Sequence, residues 1–410
     1  MRISLIVVLL CSALWACRKS AAPDNAKPVT LPPSGQGVVA AENQFSVNLF
    51  QQLEGLDTSL HNKMISPLSI YMALGMANLG AAGTTRDSIL EAMDLGSSST
   101  DDLNNTASSL MTQLPQADPR VALYIANSVW SNKNLALLPS YLDAVQQYYG
   151  AKAQALDFSS PSAAQTINQW VNAETRQMIP SIISSTDPSE LAILVNAVYF
   201  KGTWTYGFDP GATKDMPFTR GDGVEESVPT MSLPKAGGLP FYGDTVTITG
   251  LPYGAGNFAL YAIMPNAPLG IRDLLSMLTP ARIAWWLQNL DTTFLQLYFP
   301  KFDFDYQADS IMNCLTNMGM GIAFSPAADF SNLSATPSMI SKVIHKTAIQ
   351  VDESGTKAAA ATGVVSVGLA EGAPPPSIYY NRPFVFLITE RTSGTILFVG
   401  VLNDPLSSGN

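Results

Sequence analysis

Apolar residues recur at helical spacing early in the chain and in short β-branched and aromatic runs later. Phe45, Leu49, Leu53 and Leu56 repeat every three or four positions and predict a helix. Ser66 before Pro67 sets a capping hydroxyl ahead of a proline at the first helical position, which predicts a helix over Leu68 to Leu79. Thr84 followed by Asp87, ahead of Ile89 and Leu90, predicts another helix start. Beyond the first third, strands are predicted over Leu191 to Phe200, Phe258 to Met264, Phe294 to Phe299, Phe384 to Thr389 and Ile396 to Val401. Turn signals separate them at Gly221-Asp222-Gly223, Tyr253-Gly254-Ala255-Gly256 and Ser393-Gly394. Helices first and antiparallel strands afterwards predict an α+β architecture. No internal repeat is visible, and no change of composition after residue 41 marks a second domain.

The amino terminus reads differently. Arg2 precedes an apolar stretch from Ile3 to Ala16 that ends at Cys17, the layout of an export signal over residues 1–16 and too short for a comfortable membrane span. Leu14-Trp15-Ala16-Cys17 resembles the bacterial lipobox, in which cleavage before the cysteine leaves a lipidated thiol. Trp15 is bulkier than that pattern usually carries, so cleavage after a nearby small residue, giving a free secreted protein, is the alternative. Arg18 stands where some inner-membrane lipoproteins carry Asp, which leans toward the outer membrane. Residues 17–40 hold Pro23, Pro28, Pro32, Pro33, Gly35 and Gly37 among few large apolar groups and predict a flexible tether, with the folded part starting near Ala41.

Composition narrows the chemistry. With 410 residues, 47% hydrophobic and 13% charged, the chain can bury a large core. Its formal net charge of -10, with no Lys or Arg run longer than two, argues against nucleic acid as a partner. If Cys17 is lipidated, Cys314 lacks an intramolecular partner, and its place on a face with Ile311, Leu315 and Met318 predicts a buried apolar residue. There are two histidines, His61 and His345, and no Cys-x-x-Cys pair, so a histidine- or cysteine-rich metal site is hard to assemble. No Gly-x-Ser-x-Gly elbow and no dinucleotide or Walker fingerprint occurs, and no carboxylate pair stands out by spacing. The expectation is a protein that is not an enzyme and needs no cofactor.

The most telling stretch runs from Asp352 to Asn381. Glu353-Ser354-Gly355-Thr356-Lys357 leads into four alanines, Ala358, Ala359, Ala360 and Ala361, then small and β-branched residues, and ends in Pro374, Pro375 and Pro376. Four alanines suit a helix as well as a strand, but Gly363, Gly368, Gly372 and the prolines argue against a long helix beyond them. The composition fits an exposed segment that joins a sheet later.

The chain is identified as resembling a serpin from about Ala41 to Pro405. The matching stretches are Asn62 to Ile70, Leu194 to Trp204, Phe299 to Phe302, Ser341 to Lys346 and Asn381 to Phe386, in register around Glu353 to Ala358. The resemblance implies three β-sheets, eight or nine helices, a monomer, and an exposed reactive-centre loop at about residues 353–378. It implies that Ser66, Ser69, Asn196 and His345 form a polar cluster, the shutter, beneath the centre of the main sheet. It implies that Trp204, Lys301 and Glu353 lie in the breach at the top of that sheet, where insertion begins. Glu353, Gly355, Thr356 and Ala358 to Ala361 match the hinge.

If Thr356 onward becomes a central strand, Thr356, Ala358, Ala360, Thr362, Val364 and Ser366 face inward, and Lys357 falls on the outer face with Ala359, Ala361, Gly363, Val365 and Val367. The only charge is thereby kept wet, and a slip of one residue buries an ammonium. Serpin loop insertion is a known example of strand addition, so this mode comes from the resemblance. Counting from Glu353 places the reactive bond at Leu369-Ala370, while counting back from Asn381 places it nearer Gly372. No Lys or Arg lies between Lys357 and Arg382, which favours elastase-like, chymotrypsin-like or subtilisin-like serine proteases, with a cysteine protease as a further candidate partner. The competing readings are a non-inhibitory serpin acting as a binding module and a surface lipoprotein enzyme.

Overall fold

The computed structural model describes residues 26–291, 293–356 and 376–408. Cys17 of the lipobox, Ala358 to Ala361 of the hinge and the Leu369-Ala370 bond lie outside the described residues. Nine α-helices occur among them: α1 (Gly35–Leu56), α2 (Pro67–Gly80), α3 (Gly83–Ala92), α4 (Thr100–Gln113), α5 (Pro139–Tyr149), α6 (Pro161–Glu174), α7 (Ile271–Met277), α8 (Pro280–Gln288) and α9 (Ile311–Asn317). The apolar spacing in α1 seats Phe45, Leu49 and Leu53 in the core, while Leu56 at the helix end is 46% exposed. Helix α4 starts with a capping box in which the Ser99 hydroxyl accepts from the Asp102 N–H and the Asp102 carboxylate accepts from the Ser99 N–H.

The main sheet runs β10 (Phe302–Gln307), β11 (Ile340–Asp352), β12 (Gly355–Thr356), β4 (Ala192–Thr203), β2 (Val121–Asn132) and β3 (Lys152–Leu156). A second sheet pairs β1 (Lys63–Ile65), β15 (Ile396–Leu402), β14 (Phe384–Glu390), β8 (Phe258–Pro265), β7 (Val246–Tyr253) and the end of β6 (Glu225–Tyr242). The rest of β6 joins a third sheet with β5 (Lys214–Thr219), β9 (Thr293–Pro300) and β13 (Ser377–Tyr379). β6 pairs with β9 as far as Gly238 and with β7 from Leu239 onward, so one strand serves two sheets. The α+β fold with three sheets is as the resemblance implied.

The larger core fills the space between the main sheet, α1, α2 and the second sheet. A smaller core on the other face of the main sheet packs α6, through Ile167 and Val171, against Trp130, Ile193 and Val195. This second layer buries both faces of the lower half of β4 and explains its nearly continuous apolar run.

Three expectations are corrected. The tether is shorter than residues 17–40: α1 starts at Gly35, the Lys27 N–H donates to Ala117 O at 2.8 Å, and Val29 is buried with its N–H on Thr392 Oγ1. Apolar Val29, Val38 and Val39 in that Pro- and Gly-rich stretch supply the docking. The helix expected from Thr84 starts at Gly83, whose φ of 50° admits the chain from an extended Ala82, so Thr84 lies inside it. The Ser66 hydroxyl makes no capping bond to α2. Cys314 is fully buried, as expected, and burial pushes its thiol up to about 11.

Candidate functional site: the seam between β11 and β4

In the lower half of the main sheet, β11 and β4 pair in parallel from Ile340 opposite Ala192 to His345 opposite Asn196. Higher up they diverge, and the chain leaving β11 turns back at Glu353-Ser354 to lay Gly355 and Thr356 between them. Thr356 pairs antiparallel with Val351 on one side and Gly202 on the other, and Gly355 with Asp352 and Thr203. The seam is therefore closed below and already wedged open above by the first two residues of a strand.

The wedge depends on glycine. Gly355 has a φ of 141°, and a Cβ there would lie 2.8 Å from Thr203 Cα and closer still to Gly202 O. An L side chain is disfavoured by both backbone angle and space. Thr356 is 3% exposed, and its hydroxyl lies 2.8 Å from the phenol oxygen of fully buried Tyr253. Tyr253 stacks on Trp204 at 4.4 Å between centroids and 13° between planes. Burial drives its phenol well above the usual range, so it stays neutral and donates or accepts at Thr356.

Trp204, Lys301 and Glu353 come together at this upper end. The Trp204 indole donates to Asp352 O at 2.9 Å, its backbone N–H donates to Ser354 O at 3.1 Å, and the two bonds hold the turn. Lys301 Nζ lies 2.9 Å from Glu353 Oε2, and Thr213 Oγ1 donates to Glu353 Oε1 at 2.6 Å. Burial pushes the Glu353 carboxyl up, but the hydrogen bonds from Thr213 and Lys301 outweigh it and leave the group below its usual range. The carboxylate is thus ionised and tethered at the start of the hinge.

Ser66, Ser69, Asn196 and His345 also meet, below the wedge. The Ser69 hydroxyl donates to Asn196 Oδ1, Asn196 Nδ2 donates to Asn127 Oδ1, and Asn127 Nδ2 donates to Tyr149 O at 2.9 Å. This relay ties α2, β4, β2 and the end of α5 together. The Ser66 N–H at the start of α2 donates to His345 Nε2 at 2.9 Å, which fixes an unprotonated Nε2. Burial pushes His345 down to about 3. His345 Nδ1 and the Ser66 hydroxyl, both buried, find no hydrogen-bond partner in this arrangement.

Asn127, Thr213 and Tyr253 were not anticipated from sequence. Tyr253 carries a faint signal as the aromatic before the Gly254 turn, whereas Asn127 and Thr213 carry none outside their tertiary contacts. The arrangement can admit further residues behind Thr356 if the parallel pairs below are broken, and its polar cluster sits where that opening must pass.

Comparison with known proteins agrees with this architecture. The family model for serpins, described as serine protease inhibitors, matches residues 40–405. Among curated relatives, Serpin-ZX of Arabidopsis thaliana is 31% identical over 388 residues, covering 90% of this chain and 98% of its own length. The leukocyte elastase inhibitor of Sus scrofa is 31% identical over 379 residues, covering 89% and 99%. Among solved structures, the thermophilic serpin tengpin in its native state superposes with a TM-score of 0.83 at 30% identity, covering 93% of this chain and 97% of its own. Human thyroxine-binding globulin complexed with thyroxine gives 0.83 at 27% identity, covering 91% and 100%. With the whole folded body matched and the seam geometry in place, this chain belongs to the serpin family.

Proposed function

We propose that the protein is a suicide-substrate inhibitor of serine proteases of elastase-like, chymotrypsin-like or subtilisin-like specificity. The observation that carries this reading is the seating of Gly355 and Thr356 between β11 and β4, because it sets direction and register for the residues that follow. Carried forward residue for residue, the pairing of Thr356 with Gly202 and Val351 brings Thr362 level with Asn196 and His345. The inward set then lies beside Phe200, Val198, Asn196, Leu194 and Ala192, all buried in β4, while Lys357 falls beside half-buried Lys201 on the outer face.

The chemistry belongs to the protease. Its nucleophile attacks the Leu369 carbonyl, an acyl ester forms, and the amine of Ala370 leaves. The freed strand then enters the seam. About ten net ladder hydrogen bonds at about 0.5 to 1.5 kcal/mol each amount to on the order of 10 kcal/mol. Fifteen residues from Gly355 to Leu369 at about 3.3 Å each carry the acyl end roughly 50 Å. Incubation with elastase and chymotrypsin, followed by a denaturing gel and mass spectrometry, tests this. A covalent adduct joined at Leu369 supports inhibition; loop cleavage with no adduct refutes it and favours a non-inhibitory binding module, for which the likeness to thyroxine-binding globulin is the precedent.

The same reading places the inhibitor outside the cytoplasm, held at the outer membrane through a lipid on Cys17. Its support is the Leu14 to Cys17 pattern and the short Pro-containing segment before α1. Partition of the Cys17→Ser variant into the aqueous phase of a detergent extraction, with the unaltered chain in the detergent phase, is the expected result; identical partition contradicts the anchor.

A further inference from the structure

Away from the seam, three buried polar side chains on three helices line one small void: Glu42 of α1, Tyr71 of α2 and Thr106 of α4. The rest of its wall is apolar apart from Tyr149 at the end of α5. Glu42, Tyr71 and Thr106 are 2%, 3% and 0% exposed, and Glu42 Oε2 and both hydroxyls find no hydrogen-bond partner among the described residues. Each such oxygen has given up its hydration without a return, so three around one void call for a common partner. The void measures about 10 Å³, room for one water-sized sphere.

Protonation decides which guest fits. No Lys, Arg or His lines the void, and its titratable members are Glu42, Tyr71 and Tyr149. With no cation beside it, burial pushes the Glu42 carboxyl up to about 8. The Ser46 hydroxyl donates to Glu42 Oε1 at 2.9 Å, which leaves the carboxyl proton on Oε2 as a donor. Burial also drives Tyr71 well above the usual phenol range, so it stays neutral. The guest must therefore be uncharged, accept and donate at once, and fill a single sphere. A metal cation needs the carboxylate ionised and more oxygens than three.

We propose that Glu42, Tyr71 and Thr106 form a binding site for one water molecule, which accepts from the Glu42 carboxyl and the Tyr71 phenol and donates to the Thr106 hydroxyl. The water joins α1, α2 and α4 at a point where these side chains do not bond one another. Tyr149 extends the linkage, because its hydroxyl donates to Asn104 Oδ1 of α4 at 2.9 Å and its carbonyl accepts from Asn127 of the seam relay. The helical layer is thereby tied to the polar cluster under the main sheet. The site stands whether or not the chain traps a protease.

A high-resolution crystal structure of the intact protein tests this directly. The expected result is one density peak within about 3 Å of all three oxygens. A void without density, or the Tyr71 and Thr106 hydroxyls bonded straight to Glu42, overturns the site. Variants read the same bridge in solution. Tyr71→Phe and Thr106→Val each lower the melting temperature by a few degrees, and the double variant loses clearly less than their sum, since both act through one guest; additive losses overturn the shared water. The infrared difference between the unaltered protein and Glu42→Gln at pH 7 shows a protonated carboxyl band, and an ionised carboxylate band in its place overturns the donor assignment. Melting in sodium, potassium and choline chloride at equal ionic strength is the same, whereas a rise specific to one metal cation contradicts water as the guest.

Discussion

Thr356→Arg attacks the account at its narrowest point. Thr356 is 3% exposed, with its hydroxyl on the Tyr253 phenol and its backbone paired on both sides. An arginine here has two options. Burying an unpaired guanidinium against the Trp204-Tyr253 stack costs several kcal/mol. Withdrawing Gly355 and Thr356 from the seam forfeits only a few ladder hydrogen bonds at about 0.5 to 1.5 kcal/mol each. Withdrawal wins, so the intact variant folds and melts within a few degrees of the parent. After cleavage the comparison reverses, because the loop cannot enter without its first inward residue. A penalty of about 3 kcal/mol on the insertion barrier slows it more than 100-fold, long enough for the acyl ester to hydrolyse. Titration of elastase or chymotrypsin is the assay: the stoichiometry of inhibition rises above about ten inhibitors per enzyme, and the product is cleaved, protease-free chain. Thr356→Ala, which removes one hydrogen bond at about 1 kcal/mol but fits the seam, stays an inhibitor. Unchanged stoichiometry in Thr356→Arg refutes the inward assignment and the seam as the insertion path.

Two further outcomes follow from the same geometry. Gly355→Ala expels the hinge through its φ of 141° and the crowding by Thr203, which chemical-shift or fluorescence changes at Trp204 report; an unperturbed Trp204 signal contradicts the wedge. His345, held down to about 3 by burial from its ordinary 6.5, makes stability depend on pH. Below 6.5 the unfolded chain takes up a proton that the folded chain refuses, so this contribution is complete above 6.5 and is lost as pH falls toward 3. The loss is about 1.4 kcal/mol per unit, or about 2 kcal/mol at pH 5. Buried Glu42, pushed up to about 8, and Glu54, pushed up to about 7, shift stability the other way, so the difference between the parent and a His345→Gln variant in denaturant midpoints at pH 7 and 5 measures it; a variant with the same pH slope as the parent assigns the dependence elsewhere.

Much of the scaffold could be read from residues because its signals are local. The β-branched and aromatic runs became β4, β8, β9, β14 and β15 with shifts of at most three residues at their ends, and Pro67 opens α2 where helix geometry tolerates it. β2 gave little warning. Its Ala, Asn and Ser residues are weak strand formers, and its last seven positions are buried on both faces under α6, which erases alternation. Leu56 shows the opposite failure: helical spacing persists to the end of α1 although no neighbour covers its last turn. At the site, Ser66, Ser69, Asn196, His345, Trp204, Lys301 and Glu353 were found through a resemblance, since a lone serine or histidine has no signature of its own. Their connection through Asn127 and Tyr253 is purely tertiary. The Ser66 case is instructive, because a serine before Pro-Leu reads as a cap, yet its backbone N–H serves His345 and its hydroxyl caps nothing.

The central claim is that the native sheet is metastable and relaxes by taking in the loop after cleavage. Calorimetry of the intact chain beside the same chain nicked within residues 365–372 by a catalytic trace of protease tests it most directly. On the order of 10 kcal/mol of new strand pairing predicts that the nicked form melts at least about 10 °C higher. Equal melting temperatures, with the nicked segment still open to further proteolysis, contradict it.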